Sequence, residues 1–327
     1  MTKKRLVSGM RATGSLHLGH LEGILKNWVR LQDDYDCFYF IADWHAFTDR
    51  LKIENLPQIQ KEIIIDWLSV GIDPQKVVIF RQSALLEQAE MCVILGMFTP
   101  LGWLERCPTF KDEVRDEESG ERVTLGKLQY PVLMTADVAT YKAQAVPVGR
   151  DQLPHLELAR EIIRRFNGQY GEILAEPASV LSDVPCLLGI DNRKMSKSYD
   201  NSIELRETSD SLKKKIHLMI TDPQRVRKHD PGNPDVCTVY SYQKIYAPDR
   251  IEEIASGCKT AGIGCRDCKT ILFDRINSML ETFRQRRVEL EKQKNLVEEI
   301  LLHGENKAHQ IAGQTMNEVR RAMGFIS

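Results

Sequence analysis

The sequence predicts an α/β protein, a parallel sheet wrapped by helices and followed by an all-helical unit, on three observations. Short apolar runs alternate with amphipathic stretches through the first half; this alternation stops near Ser202; helical spacing then continues almost to the last residue. In order, "RLVSG" reads as a strand, "HLEGILKNWVRLQ" as a helix, and "CFYFIAD" as a strand. A long helix ends in "IIIDWLSVGI", and "KVVIF" is the next strand. The charged, glycine-containing stretch near residues 108–127 reads as an insertion with too little apolar content to join a core. "QLPHLELAREIIRRFN" has helical spacing, and "ASVLSDVPCLLG" returns the chain to the sheet. The expected units are 1–201 and 202–327, the second interrupted by a cysteine cluster between 237 and 268.

Bulk properties bound the function. A chain of 327 residues, 42% of them hydrophobic, can bury a full core, and a net charge of −1 means that any polyanion must be held by local basic patches. The sequence has no apolar run of about eighteen residues, and its start lacks the apolar segment of a secretory signal, so a cytoplasmic, non-membrane protein is expected.

Three clusters carry chemistry. In "SGMRATGSLHLGH", Gly9 and Gly14 suit a tight strand-to-helix turn, and the free N–H groups of the following helix suit an anion. His17 and His20 fall at i, i+3 on the first turn, and Gly19 between them leaves room for a flat ring; a zinc pair or a capping histidine is the alternative. The second cluster, "RKMSKSYDN", presents Lys194 and Lys197 in a serine-rich segment. Paired with the histidines, it makes a site for a triphosphate whose charge grows on a leaving pyrophosphate. In the third, "YPVLMTADVATY", Asp137 is the one carboxylate in an apolar helical run, with Tyr130 and Met134 on its face. A carboxylate so placed needs a hydrogen-bond donor, and an indole N–H or a phenol O–H would fit.

His17-Leu-Gly-His20 and Lys194 to Ser198 resemble the two signatures of class I aminoacyl-tRNA synthetases. "FYFIADWHAFT", "YPVLMTAD", "VPVGRDQLPHLELAREIIRRFN" and "MITDPQRVRKHDPGNP" extend the resemblance along the chain to the tryptophanyl-tRNA synthetases of bacteria. The resemblance implies a Rossmann-type catalytic domain, a helical anticodon-binding domain and a homodimer, with ATP, Mg²⁺, L-tryptophan and tRNA(Trp) as reactants and partners. It implies that Asp137 accepts the indole N–H, that Tyr130 and Gln152 hold the amino-acid end, and that Met134 and His45 lie in or beside the pocket. It places ATP against Arg11, Ala12, Thr13, Gly19, His20, Gly149, Arg150, Asp151, Val184, Lys194, Met195, Ser196, Lys197 and Ser198. His17, His20, Lys194, Lys197 and Lys111 would carry the developing phosphate charge.

The chain departs from the family pattern at Arg11-Ala12-Thr13, where many members have Gln-Pro-Ser, at Arg150, often acidic, and at Asp200, often glycine. Tyrosyl-tRNA synthetases are the nearest alternative, and Val7 stands where they place a tyrosine. A non-catalytic RNA-binding or redox-sensing paralogue is the other reading, and the intact histidine and lysine motifs speak against it.

Cys237, Cys258, Cys265 and Cys268 are spaced C-x20-C-x6-C-x2-C without an intervening histidine, which reads as a metal site; spacing leaves zinc and iron–sulfur open. The resemblance favours a [4Fe–4S] cluster, which a subset of the family carries in this region. Basic residues crowd the second half, among them Lys213 to Lys215, Arg225, Arg284, Arg286, Arg287 and Arg320, and some are expected to meet tRNA phosphates.

Overall fold

Strand β2 (Asp36–Ala42) shows why the sheet forms: Cys37 to Ala42 are all buried, as in a strand covered on both faces. It pairs in parallel with β1 (Arg5–Arg11) and β3 (Val77–Arg81); β4 (Ala145–Val148) adds to the other side of β1, and β5 (Ala178–Leu181) completes the order β3-β2-β1-β4-β5. The chain therefore reverses its direction of winding between β1 and β4, the place where open parallel sheets hold ligands. This computed structural model describes residues 3–48, 50–107, 110–111, 124–181, 187–193, 195 and 199–327.

Helices cover the sheet. Helix α1 begins at Leu18–His20, passes through a π-helical turn at Leu21–Leu25 and continues as Lys26–Leu31. Its Trp28 stacks on Tyr39 of β2, ring centroids 4.2 Å apart and nearly parallel. The short α2 (Asp43–Phe47) leaves the carboxyl end of β2. Helix α3 (Leu56–Val70) has proline in its first turn and stops at Gly71, whose φ of 110° suits a residue without a Cβ. Trp67 of α3 meets Trp28 edge-on. Then come α4 (Leu86–Phe98), α5 (Leu101–Glu105), α6 (Leu125–Ala139) and α7 (Leu153–Tyr170). Thr124 caps α6 by accepting the Lys127 N–H, so the last residues of the expected insertion form the first turn of a helix.

Beyond Ser202 the described structure is helical: α8 (Ser209–Leu218), α9 (Thr238–Tyr246), α10 (Ile251–Lys259), α11 (Cys265–Glu291) and α12 (Leu296–Ala322). Two of these helices fasten onto the sheet layer. Arg287 of α11 is buried and ion-pairs with Asp66 and Glu62 of α3. Helix α12 crosses β3 so closely that a Cβ at Gly304 would lie 1.8 Å from the Ile79 carbonyl oxygen. Ala308 and Ala312 carry that contact into the core formed by Phe38, Phe40 and Phe80.

Some sequence expectations change. Gly9 lies inside β1 and takes no part in the turn; a Cβ there would come 2.4 Å from the Phe40 ring, so the glycine makes room for an aromatic neighbour. Gly14, with φ 114°, is the turn glycine. Several basic residues expected at an RNA surface are engaged within the protein: Arg287 as above, Arg284 with Glu281 and the Glu207 carbonyl, Arg320 with Glu90, and Lys215 with Glu207. Among the described residues no helix is long and apolar enough to cross a membrane.

Candidate active site

A cavity of about 250 Å³ opens at the switch point, comparable in scale to small-ligand sites. Val7 and Gly9 of β1, Val146 and Val148 of β4, and Met134 and Asp137 of α6 line it, together with Gly149 and Gln152 where β4 gives way to α7. Its wall is aliphatic and aromatic, with few polar groups.

Asp137, 2% exposed, is the charged group in that wall. Oδ1 accepts from Gln88 Nε2 at 2.7 Å and Gln82 Nε2 at 2.8 Å, and Oδ2 lies 3.0 Å from both Gln82 Nε2 and His45 Nε2. As an acceptor, the carboxylate places the imidazole hydrogen on Nε2 of His45. The donors are themselves oriented: Gln88 Oε1 accepts from the Tyr141 hydroxyl at 3.2 Å, and Gln82 Oε1 from the His45 backbone N–H at 3.4 Å. Each glutamine is thereby obliged to turn its amide hydrogens toward Asp137. Sequence reasoning found Asp137 and His45 but missed Gln82 and Gln88. Nothing local marks them, since they come from the carboxyl end of β3 and from α4.

Tyr130 precedes Asp137 by two helical turns on the same face. Its hydroxyl lies 2.9 Å from His155 Nε2, and His155 Nδ1 lies 3.2 Å from the buried Cys107 thiol. Burial lowers the His155 pKa, so the ring is held neutral, able to donate from one nitrogen and accept at the other. Gln152 donates to Asp151 at 2.8 Å in the single 3-10 turn Arg150–Gln152 that follows Gly149.

Met195, the described residue of the lysine motif, comes up against the histidine motif. The His17 and His20 rings lie with centroids 3.8 Å apart, tilted by 33°, and the His17 backbone N–H donates to His20 Nδ1 at 3.2 Å. A Cβ at Gly19 would lie 3.0 Å from the His17 ring and 3.5 Å from Met195 Sδ, so the gap left by the glycine is filled from both motifs. Backbone bonds fix this meeting: Leu18 N–H to Ile203 O and Leu205 N–H to Leu16 O, each 2.9 Å, clip α1 to the chain beyond the lysine motif. Arg11, Ala12 and Thr13 stand at the carboxyl end of β1, with Ala12 buried and Arg11 exposed. Asp200 takes a left-handed conformation, φ 48°, which accounts for the glycine usual at that place and which aspartate tolerates. Lys111 is exposed one turn after Cys107. Val184, Lys194, Ser196, Lys197 and Ser198 lie outside the described residues.

The cysteines form a separate site. Cys237, Cys258, Cys265 and Cys268 line one cavity between α9, α10 and α11, with Arg225 at its edge. Burial raises the Cys268 thiol to about 11, and it raises Cys237 and Cys258 as well; the Val239 and Tyr240 N–H groups at the start of α9 oppose this at Cys237. Four thiols without a competing oxygen ligand match the donor chemistry of zinc or iron–sulfur. Among the described residues, however, no three His, Cys, Asp or Glu side chains are gathered closely enough to hold a single metal ion.

The chain is similar to known proteins along nearly its whole length. The family described as "tRNA synthetases class I (W and Y)" matches residues 2–281. The chain is 44% identical to the tryptophan–tRNA ligase of Thermotoga maritima, across 98% of this chain and 99% of that protein. It is 40% identical to the enzyme of that name from Aquifex aeolicus, across 98% of this chain and all of that protein. The tryptophanyl-tRNA synthetase of Campylobacter jejuni, solved with ADP and tryptophan, superposes with a TM-score of 0.86 at 34% identity, covering 98% of this chain and 99% of that one. The chain belongs to the class I tRNA synthetases of the tryptophan and tyrosine family.

Proposed function

We propose that this chain is a tryptophan–tRNA ligase, which joins tryptophan to ATP as an adenylate and then transfers it to tRNA(Trp). The observation that carries the choice of amino acid is Asp137, a buried acceptor held by three donors in a mostly apolar cavity, with Val7 of β1 in the same wall. An indole supplies one N–H for the remaining acceptor capacity of Asp137 and an apolar ring for Met134, Val146 and Val148. Residues 1–201 are read as the catalytic unit and 202–327 as the anticodon-binding unit, with α12 returning to brace the sheet.

In the first step the tryptophan carboxylate attacks the α-phosphate of ATP in line, and pyrophosphate leaves. Tyr130 and Gln152 orient the amino-acid end. The adjacent His17 and His20, with Lys194, Lys197 and Lys111, spread the charge that develops on the transferring group and pyrophosphate. Arg11, Ala12 and Thr13, Gly19, and Gly149 with Arg150 and Asp151 frame the nucleotide, closed by Val184 and the Met195, Ser196 and Ser198 segment. Mg²⁺ supplies further neutralisation when bound with ATP. In the second step the terminal ribose hydroxyl of tRNA attacks the adenylate carbonyl and AMP leaves. Both steps depend on positioning and electrostatics, with no covalent enzyme intermediate.

Cys237, Cys258, Cys265 and Cys268 would hold a [4Fe–4S] cluster. Four cysteines lining one cavity without a histidine are donors of the kind such a cluster takes. When bound, such a cluster would supply a redox-active or purely structural cross-link among three helices. A cytoplasmic homodimer is the proposed form. Leu86, Val93 and Met97 are 74%, 58% and 73% exposed along one side of α4, continued by Leu101, an apolar face suited to a second copy. Tryptophan-dependent exchange between ATP and labelled pyrophosphate tests the proposed activity; its absence rejects it.

A further inference from the structure

Helix α9 is a nine-residue element with contacts at both ends. Cys237, directly before it, lines the thiol cavity, and its sulfur faces the first N–H groups of the helix. Gln243 of the same helix donates to the Cys268 carbonyl at 2.8 Å and lies 3.7 Å from its sulfur. Two other buried residues of α9, Thr238 and Tyr242, turn toward residues 188–193. The Thr238 hydroxyl donates to Asn192 Oδ1 at 3.2 Å, and the Tyr242 hydroxyl, one turn on, donates to the Leu188 carbonyl at 2.5 Å.

Residues 188–193 lead directly into Lys194 in the sequence. Their own bonds close a compact turn: Gly189 N–H to Arg193 O at 2.7 Å, Asn192 N–H to Gly189 O at 3.1 Å, with Asn192 left-handed at φ 65°. Outward ties among the described residues include Ile190 N–H to Asn201 O, Ile220 N–H to Ile190 O, Asn201 Nδ2 to Asp191 Oδ1 at 2.7 Å, Arg193 over the Tyr199 ring at 4.6 Å, and the two bonds from α9. At the far end of α9, the Tyr246 ring lies under the Lys26 ammonium of α1, 5.9 Å away, on the helix that begins with the signature histidines.

We propose that α9 is a strut between the thiol cavity and the lysine signature, in which Thr238 and Tyr242 are positioning residues for the ATP step. Cys237 fixes the N-terminal end of the strut, so the state of the cavity is felt at residues 188–193. This rests on reading Lys194 and Lys197 as the triphosphate site, while the contacts themselves do not.

Amide hydrogen exchange in the full-length protein separates the two. Thr238→Val keeps the shape and removes the donor; Tyr242→Phe does the same. In each, the amides of Gly189, Ile190 and Asn192 are expected to exchange about five- to tenfold faster, as loss of a bond worth roughly 1 kcal/mol implies, while amides of β1 and β2 are unchanged. Cys237→Ala is expected to speed the same amides. In pyrophosphate exchange the KM for ATP is expected to rise several-fold in Thr238→Val and Tyr242→Phe, with the KM for tryptophan unchanged. Unchanged amide exchange in Thr238→Val and Tyr242→Phe overturns the strut, and unchanged exchange in Cys237→Ala overturns its link to the cavity. A wild-type protein inactive in pyrophosphate exchange rejects the catalytic reading, and the amide results still decide the strut.

Discussion

Gln88 donates to Asp137 at 2.7 Å because its other amide atom is already taken by the Tyr141 hydroxyl. The consequence is a preset polarity: the cavity offers an acceptor and rejects a ligand that brings a second acceptor. Asp137→Asn would set an amide against Gln82, Gln88 and His45, which are all donors. The expected result is a loss of about 10² or more in kcat/KM for tryptophan, as when a buried polar match is broken. Tyr141→Phe frees the Gln88 amide to flip, and the KM for tryptophan is expected to rise several-fold at nearly constant kcat. Steady-state exchange kinetics check both; an unchanged KM in Tyr141→Phe contradicts the orienting role.

Asp66 gives a pH signature. Burial raises its carboxyl to about 6 although Arg287 and Arg206 pull it down. The folded value exceeds the unfolded one, about 3.9, so between those values the folded state holds the proton that the unfolded chain has released. The stability due to Asp66 is full below about pH 4 and lost as pH rises through about 6. Relative to Asp66→Asn, the wild type is expected to lose stability between pH 4 and 6.5, by at most about 3 kcal/mol. Urea unfolding at several pH values measures this, and a flat or rising difference contradicts it.

The crossing of α12 over β3 admits no side chain at Gly304. Gly304→Ala must push the helix off the strand, and a cost of roughly 3 kcal/mol or more is expected, above the usual range for overpacking because backbone is the obstacle. Thermal unfolding is expected to show a midpoint several degrees lower; an unchanged midpoint shows that the helix can shift freely.

Burial raises the Cys268 thiol to about 11. If the cavity holds a cluster, protein purified without oxygen carries iron and sulfide and absorbs in the visible, and Cys268→Ser lowers both. Zinc in place of iron, or no metal at all, contradicts the cluster.

The sheet was legible because β2 is apolar at nearly every position and because the strand and helix periods alternate so regularly before Ser202. Asp137 was legible as a lone carboxylate on an apolar face, and the histidine and lysine motifs by their spacing. Gln82 and Gln88 were not, since a buried glutamine looks like a surface one until the chain brings it to its partner 55 or 49 residues away. Arg287 was hidden in the same way: its helix reads as basic and solvated, while the charge is neutralised by two acids on α3. The return of α12 to the sheet left only small residues, Gly304, Ala308 and Ala312, as its trace.

The most direct measurement is ATP–pyrophosphate exchange by the wild-type protein with each standard amino acid in turn. Robust exchange with tryptophan and background exchange with tyrosine and phenylalanine is the expected result. Exchange driven by tyrosine instead, or by no amino acid, contradicts the assignment of Asp137 as the acceptor for an indole.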